Sequence, residues 1–231
     1  MRSVIKRLTS TTILIIVLFQ VLAVVIEELN TTVLAVEGVT EEISRDYEIK
    51  EEATFDLSGR GDNSVIGKYT LKDRTLRISG VGEISNNIPK HYKNVIENII
   101  IGEGITGIGD EAFEGCSSLT SIIIPEGVTR IGYATFYECS SLTNITIPEG
   151  VTSIGNHAFF RCNSLTNITI PEGVTSIGYD TFYECSSLTS ITIPEGVTII
   201  MDYAFYRCNS LTNIIIPEGV TRIGYATFYE C

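Results

Sequence analysis

Six cysteines stand at Cys116, Cys139, Cys162, Cys185, Cys208 and Cys231, 23 residues apart at every step. No other feature constrains the fold so strongly, because every unit must adopt one conformation and lie against its neighbour. The phrase between cysteines is clearest at residues 162–184, CNSLTNITIPEGVTSIGYDTFYE, and close copies fill the sequence from about Asn94 onward.

The copies align in columns. Leu119, Leu142, Leu165, Leu188 and Leu211 form one, preceded by Ile96. Ile122 and Ile124 head two more, and Val128, Ile131 and Phe136 head three further columns ending at Val220, Ile223 and Phe228. Ile122 and Ile124 are two apart, which puts both on one side of a short strand and Ile123 on the other. Pro125 and its equivalents end that strand, since proline donates nothing to a ladder. Gly104, Gly127, Gly150, Gly173, Gly196 and Gly219 follow the strand without exception, and positive φ in a turn is the expected reason. A second glycine column is broken by Met201, so either that site needs no positive φ or its coil is strained.

One coil cannot fold alone. Ordering each residue costs about 1–2 kcal/mol of backbone entropy. The seven or so large apolar side chains of a coil return roughly 1.5–3 kcal/mol apiece, and only when neighbouring coils bury them. Stacking is therefore obligatory, and the expected fold class is a β-rich parallel solenoid.

The pattern Leu-x-x-Ile-x-Ile-Pro-x-x-Val-x-x-Ile-Gly-x-x-x-Phe-x-x-Cys, as in residues 165–185, resembles the 23-residue leucine-rich repeat of the BspA-like (Treponema-type) surface-antigen family. The alternating segments around Lys72-Asp73-Arg74, with Ser79-Gly80-Val81-Gly82-Glu83 after them, are similar to that family's amino-terminal β-hairpin cap, with Tyr69 where a Trp is usual. The resemblance implies a curved leucine-rich repeat array with a continuous parallel β-sheet, surface display, and adhesion or protein binding.

The expected organisation is a signal peptide or signal anchor at 1–35, an acidic linker at 36–53, the β cap at 54–93, and the solenoid at 94–231. Arg2, Lys6 and Arg7 precede an apolar stretch over 13–26, as in an export signal, with Val33-Leu34-Ala35 or Ala23 as the cut. Location outside the cytoplasm, extracellular or at the cell surface, follows from either form. The sequence stops within a coil at Cys231, and further modules beyond that point are one expectation.

A longer period lies inside the repeat. Glu138, Arg161, Glu184, Arg207 and Glu230 alternate in charge before each cysteine, and Thr135, Ala158, Thr181, Ala204 and Thr227 alternate before each phenylalanine. The duplicated unit is thus two coils, and a Glu–Arg ladder is expected along one edge. Glu103, Glu126, Glu149, Glu172, Glu195 and Glu218 instead form a like-charged stripe, read as a solvated edge that discourages aggregation, or else as a cation site or a contact for a basic partner. Equivalent cysteines in such a stack lie roughly 5 Å apart with parallel side chains. Buried thiols fit that geometry better than disulfides do.

Function is read largely by exclusion. The formal net charge is −12, and from residue 94 onward fifteen Asp and Glu face four Arg and no Lys. Nucleic acid, which needs clustered cations, is not an expected partner. No phosphate loop, metal-ligand spacing or nucleophile elbow occurs, and the two histidines are His91 and His157. The expectation is a non-enzyme without cofactor or metal, and without a membrane contact beyond an N-terminal anchor.

Two faces are candidates for binding another protein or a cell-surface glycan. The outward sheet face carries Ser121, Ile123, Asn144, Thr146, Asn167, Thr169, Ser190, Thr192, Asn213 and Ile215. An aromatic edge carries Tyr137, Phe160, Tyr183, Tyr206 and Tyr229, with Tyr133, Tyr179 and Tyr225 beside it. The adhesive tripeptide Arg60-Gly61-Asp62 is a third candidate, set against plain turn chemistry. The expected role is a secreted or surface-displayed binding or adhesion scaffold, with a structural spacer or the front of a longer surface protein as alternatives.

Overall fold

The computed structural model describes residues 49–231, so the expected export signal and residues 36–48 of the linker lie outside the described residues. Three antiparallel strands open the fold: β1 (Glu52–Asp56), β2 (Val65–Thr70) and β3 (Thr75–Gly80). β2 and β3 form the expected hairpin, with Tyr69 opposite Leu76, and Arg74 takes a positive φ of 49° in its turn. β1 starts at Glu52, two positions before the expected cap boundary at 54. Its inward residues Ala53 and Phe55 pack against the core, but two apolar positions are too few to reveal a strand in the sequence.

β3 also begins the solenoid. Its free edge pairs in parallel with β5 (Asn98–Ile101), matching Leu76 to Ile99 and Ile78 to Ile101 at an offset of one repeat. β4 (Gly82–Ile84) pairs likewise with β6 (Ile105–Ile108) through one irregularity. The stretch expected to be only cap, 54–93, therefore contains a first coil from Thr75 whose sequence has drifted from the motif. A short helix, α1 (Lys90–Lys93), closes that coil and buries Tyr92 against Phe55 and Tyr69, with ring centroids 4.8 and 5.2 Å away. The Tyr69 hydroxyl is buried there without a hydrogen-bond partner among the described residues.

Each later coil contributes a three-residue and a two-residue strand. The longer set continues with β7 (Ser121–Ile123), β9 (Asn144–Thr146), β11 (Asn167–Thr169), β13 (Ser190–Thr192) and β15 (Asn213–Ile215). The shorter set comprises β8 (Arg130–Ile131), β10 (Ser153–Ile154), β12 (Ser176–Ile177), β14 (Ile199–Ile200) and β16 (Arg222–Ile223). The parallel sheets expected from the repeat are present. Each runs in two hydrogen-bonded stretches, interrupted between β7 and β9 on one side and between β10 and β12 on the other. Registers match like with like, for example Ile145, Ile168, Ile191 and Ile214.

The third side of the coil is built from turns, yet it too is laddered. The amides of Ala134, Phe136 and Glu138 donate forward to the carbonyls of Asn156, Ala158 and Phe160 in the next coil, at 3.0, 2.8 and 2.8 Å. On the sheet side donation runs backward, as from the Thr166 amide to the Thr143 carbonyl at 3.0 Å. Buried peptide groups are thus satisfied from both neighbouring coils, which a single coil cannot do.

Positive φ falls where the sequence did not suggest it. Glu111, Ala134, His157, Asp180, Tyr203 and Ala226 form one such column, and Glu138, Arg161, Glu184, Arg207 and Glu230 form another, all between 49° and 59°. The invariant glycines from Gly104 to Gly219 are not among the positive-φ residues, which corrects the expectation placed on them. Close approach accounts for Gly104, where a Cβ would sit 2.1 Å from the Gly80 carbonyl oxygen, and crowds Gly150, where it would sit 3.1 Å from that of Glu126, whereas Gly127 would meet only an ordinary contact at 3.4 Å. The second glycine column is tighter, with a Cβ on Gly155 only 2.5 Å from the backbone of Gly132 and Tyr133. Met201 lies outside positive φ and still donates to the Ile177 carbonyl at 2.9 Å, so its coil keeps the ladder bond.

The core is a set of stacked columns. Phe136, Phe159, Phe182 and Phe205 are fully buried, their rings 5.3–5.4 Å apart and nearly parallel. All six cysteines are free thiols, Cys231 exposed and the other five buried. The thiols of Cys139, Cys162, Cys185 and Cys208 each donate to the phenylalanine carbonyl one coil back, at 3.1–3.2 Å. Burial pushes the Cys116 thiol up to about 12 and those of Cys139, Cys162 and Cys185 well above their ordinary value.

Candidate functional site

Alternation along the three-residue strands turns every second side chain away from the core. Ser121, Ile123, Asn144, Thr146, Asn167, Thr169, Ser190, Thr192, Asn213 and Ile215 are all exposed. The two columns on this face differ in what their polar atoms do. The inner column is engaged along the sheet. Asn144 and Asn167 donate to the hydroxyls of Thr143 and Thr166 at 3.4 and 3.2 Å, and the Ser190 hydroxyl donates to the Asn167 side chain at 3.4 Å. Beside it, the hydroxyls of Thr166, Thr189 and Thr212 donate to the threonine carbonyl one coil back, at 3.2–3.3 Å. These groups are scaffold.

The outer column is different. Thr146, Thr169 and Thr192 lie in register across three paired strands. Among the described residues their hydroxyls make no hydrogen bond and face solvent, ready to donate or accept. Exposed isoleucines flank this row: Ile123 keeps 58% of its surface and Ile215 keeps 71%. The face is uncharged, with paired polar groups on one side and a hydroxyl row between apolar ends on the other.

The aromatic edge is used up internally. Tyr137, Phe160, Tyr183, Tyr206 and Tyr229 stack with centroids 4.6–5.1 Å apart and planes within 12° of parallel. Ring faces that cover one another cannot also cover a ligand, so the exposed edge of this column offers rims rather than faces. Arg161 and Arg207 close the column from outside, each over an aromatic ring at 5.1 and 5.2 Å.

Those arginines also form the expected charge ladder. Arg161 bridges Glu138 and Glu184 at 3.1 and 2.9 Å, and Arg207 bridges Glu184 and Glu230 at 3.2 and 2.6 Å. Hydrogen bonds to Glu184 and Glu138 raise the Arg161 pKa above its ordinary value. Two further links follow the two-coil period and were not read from the sequence. Asp110, Asn156 and Asp202 each accept, through a side-chain oxygen, the amide of Tyr133, Tyr179 or Tyr225 in the next coil at 2.9–3.0 Å. In the tyrosine coils a buried Thr135, Thr181 or Thr227 hydroxyl donates to the glycine carbonyl three residues back, at 2.8–2.9 Å. The alternation of Asx with Tyr at one position carried that signal.

The remaining candidates sit apart. Arg60-Gly61-Asp62 is exposed in the loop between β1 and β2, where Gly61 has a φ of 72°. The Asp62 carboxylate accepts the Ser64 amide at 3.0 Å, which holds its pKa below the ordinary range. His157 approaches Asp180 at 3.4 Å, and burial raises the Asp180 pKa despite the histidine. Among the described residues no three His, Cys, Asp or Glu side chains converge as metal ligands.

The family model for the BspA-type leucine-rich repeat region matches residues 83–185 and 129–231, in six copies. This chain belongs to the BspA-type leucine-rich repeat family. Solved structures agree. It is 26% identical to the leucine-rich repeat protein of T. pallidum, over 74% of this chain and 87% of that one, with a TM-score of 0.59. It is 33% identical to a leucine-rich cell surface protein from Faecalibacterium prausnitzii A2-165, over 80% of this chain and 53% of that one, with a TM-score of 0.63. A Bacteroides ovatus leucine-rich repeat protein is 27% identical, over 78% of this chain and 55% of that one, with a TM-score of 0.53. The chain thus spans about half the length of the latter two neighbours. No curated protein sequence matches.

Proposed function

We propose that this BspA-type solenoid is displayed outside the cell, where it binds another protein through the outward face of its longer sheet. One observation carries the reading: the row Thr146, Thr169, Thr192 presents unpaired hydroxyls in register, flanked by the exposed Ile123 and Ile215. A flat uncharged surface with apolar anchors and adaptable donors suits a protein partner. The basic start and apolar stretch of residues 1–26 support export. The Faecalibacterium neighbour is described as a cell surface protein, and display is brought to this chain by that analogy. Adhesion is the corresponding role, and the protein acts as a scaffold rather than a catalyst.

Beads coated with the protein test this against a panel of immobilised extracellular matrix and host-surface proteins. Thr146→Arg with Thr169→Arg is expected to abolish adhesion to the responding surface while leaving the melting temperature unchanged. Adhesion that survives this pair but is lost in Asp62→Glu would move the contact to the Arg60-Gly61-Asp62 loop and overturn the sheet-face reading. No adhesion at all would favour a structural spacer.

A further inference from the structure

Tyr133, Tyr179 and Tyr225 occupy one column and recur every second coil, exposed to 43%, 39% and 71%. Unlike the neighbouring stack, these rings do not lie on one another. Tyr133 meets the His157 ring at a tilt of 52°, and Tyr225 meets Tyr203 edge-on at 80°, so face area remains open to solvent. The coils between them carry Asn156 and Asp202 at the same position, and Asp110 precedes the row. Each Asx is held through one oxygen by the following tyrosine amide. The Asn156 amide nitrogen and the second Asp202 oxygen have no partner among the described residues. The surface therefore alternates an aromatic platform with an oriented polar group. Platforms are two strand spacings apart, roughly 9.5 Å.

We propose that this row binds a neutral β-1,4-linked glycan chain laid along the solenoid axis. An extended β-1,4-linked disaccharide unit has nearly the length of two coils, so every second sugar meets a tyrosine face through its C–H groups. The intervening Asn156 and Asp202 pair with ring hydroxyls. Anionic polysaccharides are disfavoured by the charge of the repeats, which contain fifteen Asp and Glu against four Arg. This surface does not include the sheet face invoked above, and it stands or falls independently of that reading.

Calorimetric titration of the whole chain with cellohexaose and chitohexaose tests the proposal, with the disaccharides and heparin as comparison probes. At least one hexasaccharide is expected to bind, with the matching disaccharide about tenfold or more weaker because it reaches one platform. Tyr179→Ala is expected to weaken binding about tenfold and Tyr179→Phe to leave it unchanged, at equal melting temperature. Thr169→Arg is expected to leave glycan binding intact. The proposal is overturned if neither hexasaccharide binds, if heparin is the tighter ligand, or if the Tyr133→Ala, Tyr179→Ala, Tyr225→Ala triple variant binds a hexasaccharide as well as the parent does.

Discussion

At the residue scale, the same side chain recurs because the same atoms surround it. Cysteine fits its column because a small apolar thiol fills the space and donates weakly to the phenylalanine carbonyl one coil back. Burial that raises a thiol pKa has a consequence with a definite sign. Such a group favours folding while pH stays below its unfolded value, near 8.5. It loses that contribution as pH climbs toward its folded value, which is about 12 for Cys116. Stability should be flat to pH 8 and fall above about pH 9, by roughly 1.4 kcal/mol per pH unit for each thiol still protonated in the fold. The melting temperature of the parent against a Cys139→Ala, Cys162→Ala variant checks this, and the variant should fall less steeply. Equal slopes would show that the thiols do not set the alkaline limit of stability. The glycines teach a related lesson. Invariance suggested a special φ, whereas the structure assigns positive φ to residues as varied as Glu111, Ala134 and His157. At Gly104 the cause is a carbonyl oxygen 2.1 Å from where a Cβ would sit, and at Gly150 and Gly196 a milder crowding at 3.1 Å, and sequence alone does not separate crowding from a special φ.

At the element scale, the working unit is a pair of coils. Alternating Glu and Arg, Asx receiving a tyrosine amide, and a buried threonine reaching a glycine carbonyl all follow the same double period. A coil from one class placed next to its own kind would set glutamate on glutamate and leave the Asx link unmade. Arg161→Glu with Arg207→Glu does this for charge. The double variant is expected to melt several degrees lower than the parent in low salt, with the gap narrowing in high salt as the like charges are screened. A gap that does not move with salt would mean that lost ring contact over Phe160 and Tyr206, rather than charge, dominates. The charge alternation was legible because opposite signs that alternate down one column of a stack are brought into contact by the stacking itself. The Asx link was not, since Tyr and Asn in turn look like ordinary surface drift until the amide is seen.

At the scale of the whole solenoid, the columns of Leu, Ile, Val and Phe announced stacking, because no single coil can bury them. The first coil escaped that reading, for Thr75 and Gly82 keep the register of the repeat without its residues. Pairing depends on backbone geometry, which tolerates more drift than a motif does. The candidate faces were legible as positions, but their availability was not. The stacked edge from Tyr137 to Tyr229 looked open and proves self-covered, while the hydroxyls of Thr146, Thr169 and Thr192 remain unspent. Core columns carry stability, and the sheet face is proposed to carry contact. Replacing each residue of the coil at 162–184 in turn, and measuring melting temperature beside adhesion to the responding protein surface, separates the two roles. Truncation to alanine at Leu165, Ile168 or Phe182 should cost about 2–5 kcal/mol of stability. Arginine at Thr169 should remove adhesion with the melting temperature unchanged. Adhesion lost instead at Glu172 or Thr175, with Thr169→Arg still adherent, would show that the sheet face is not the contact surface.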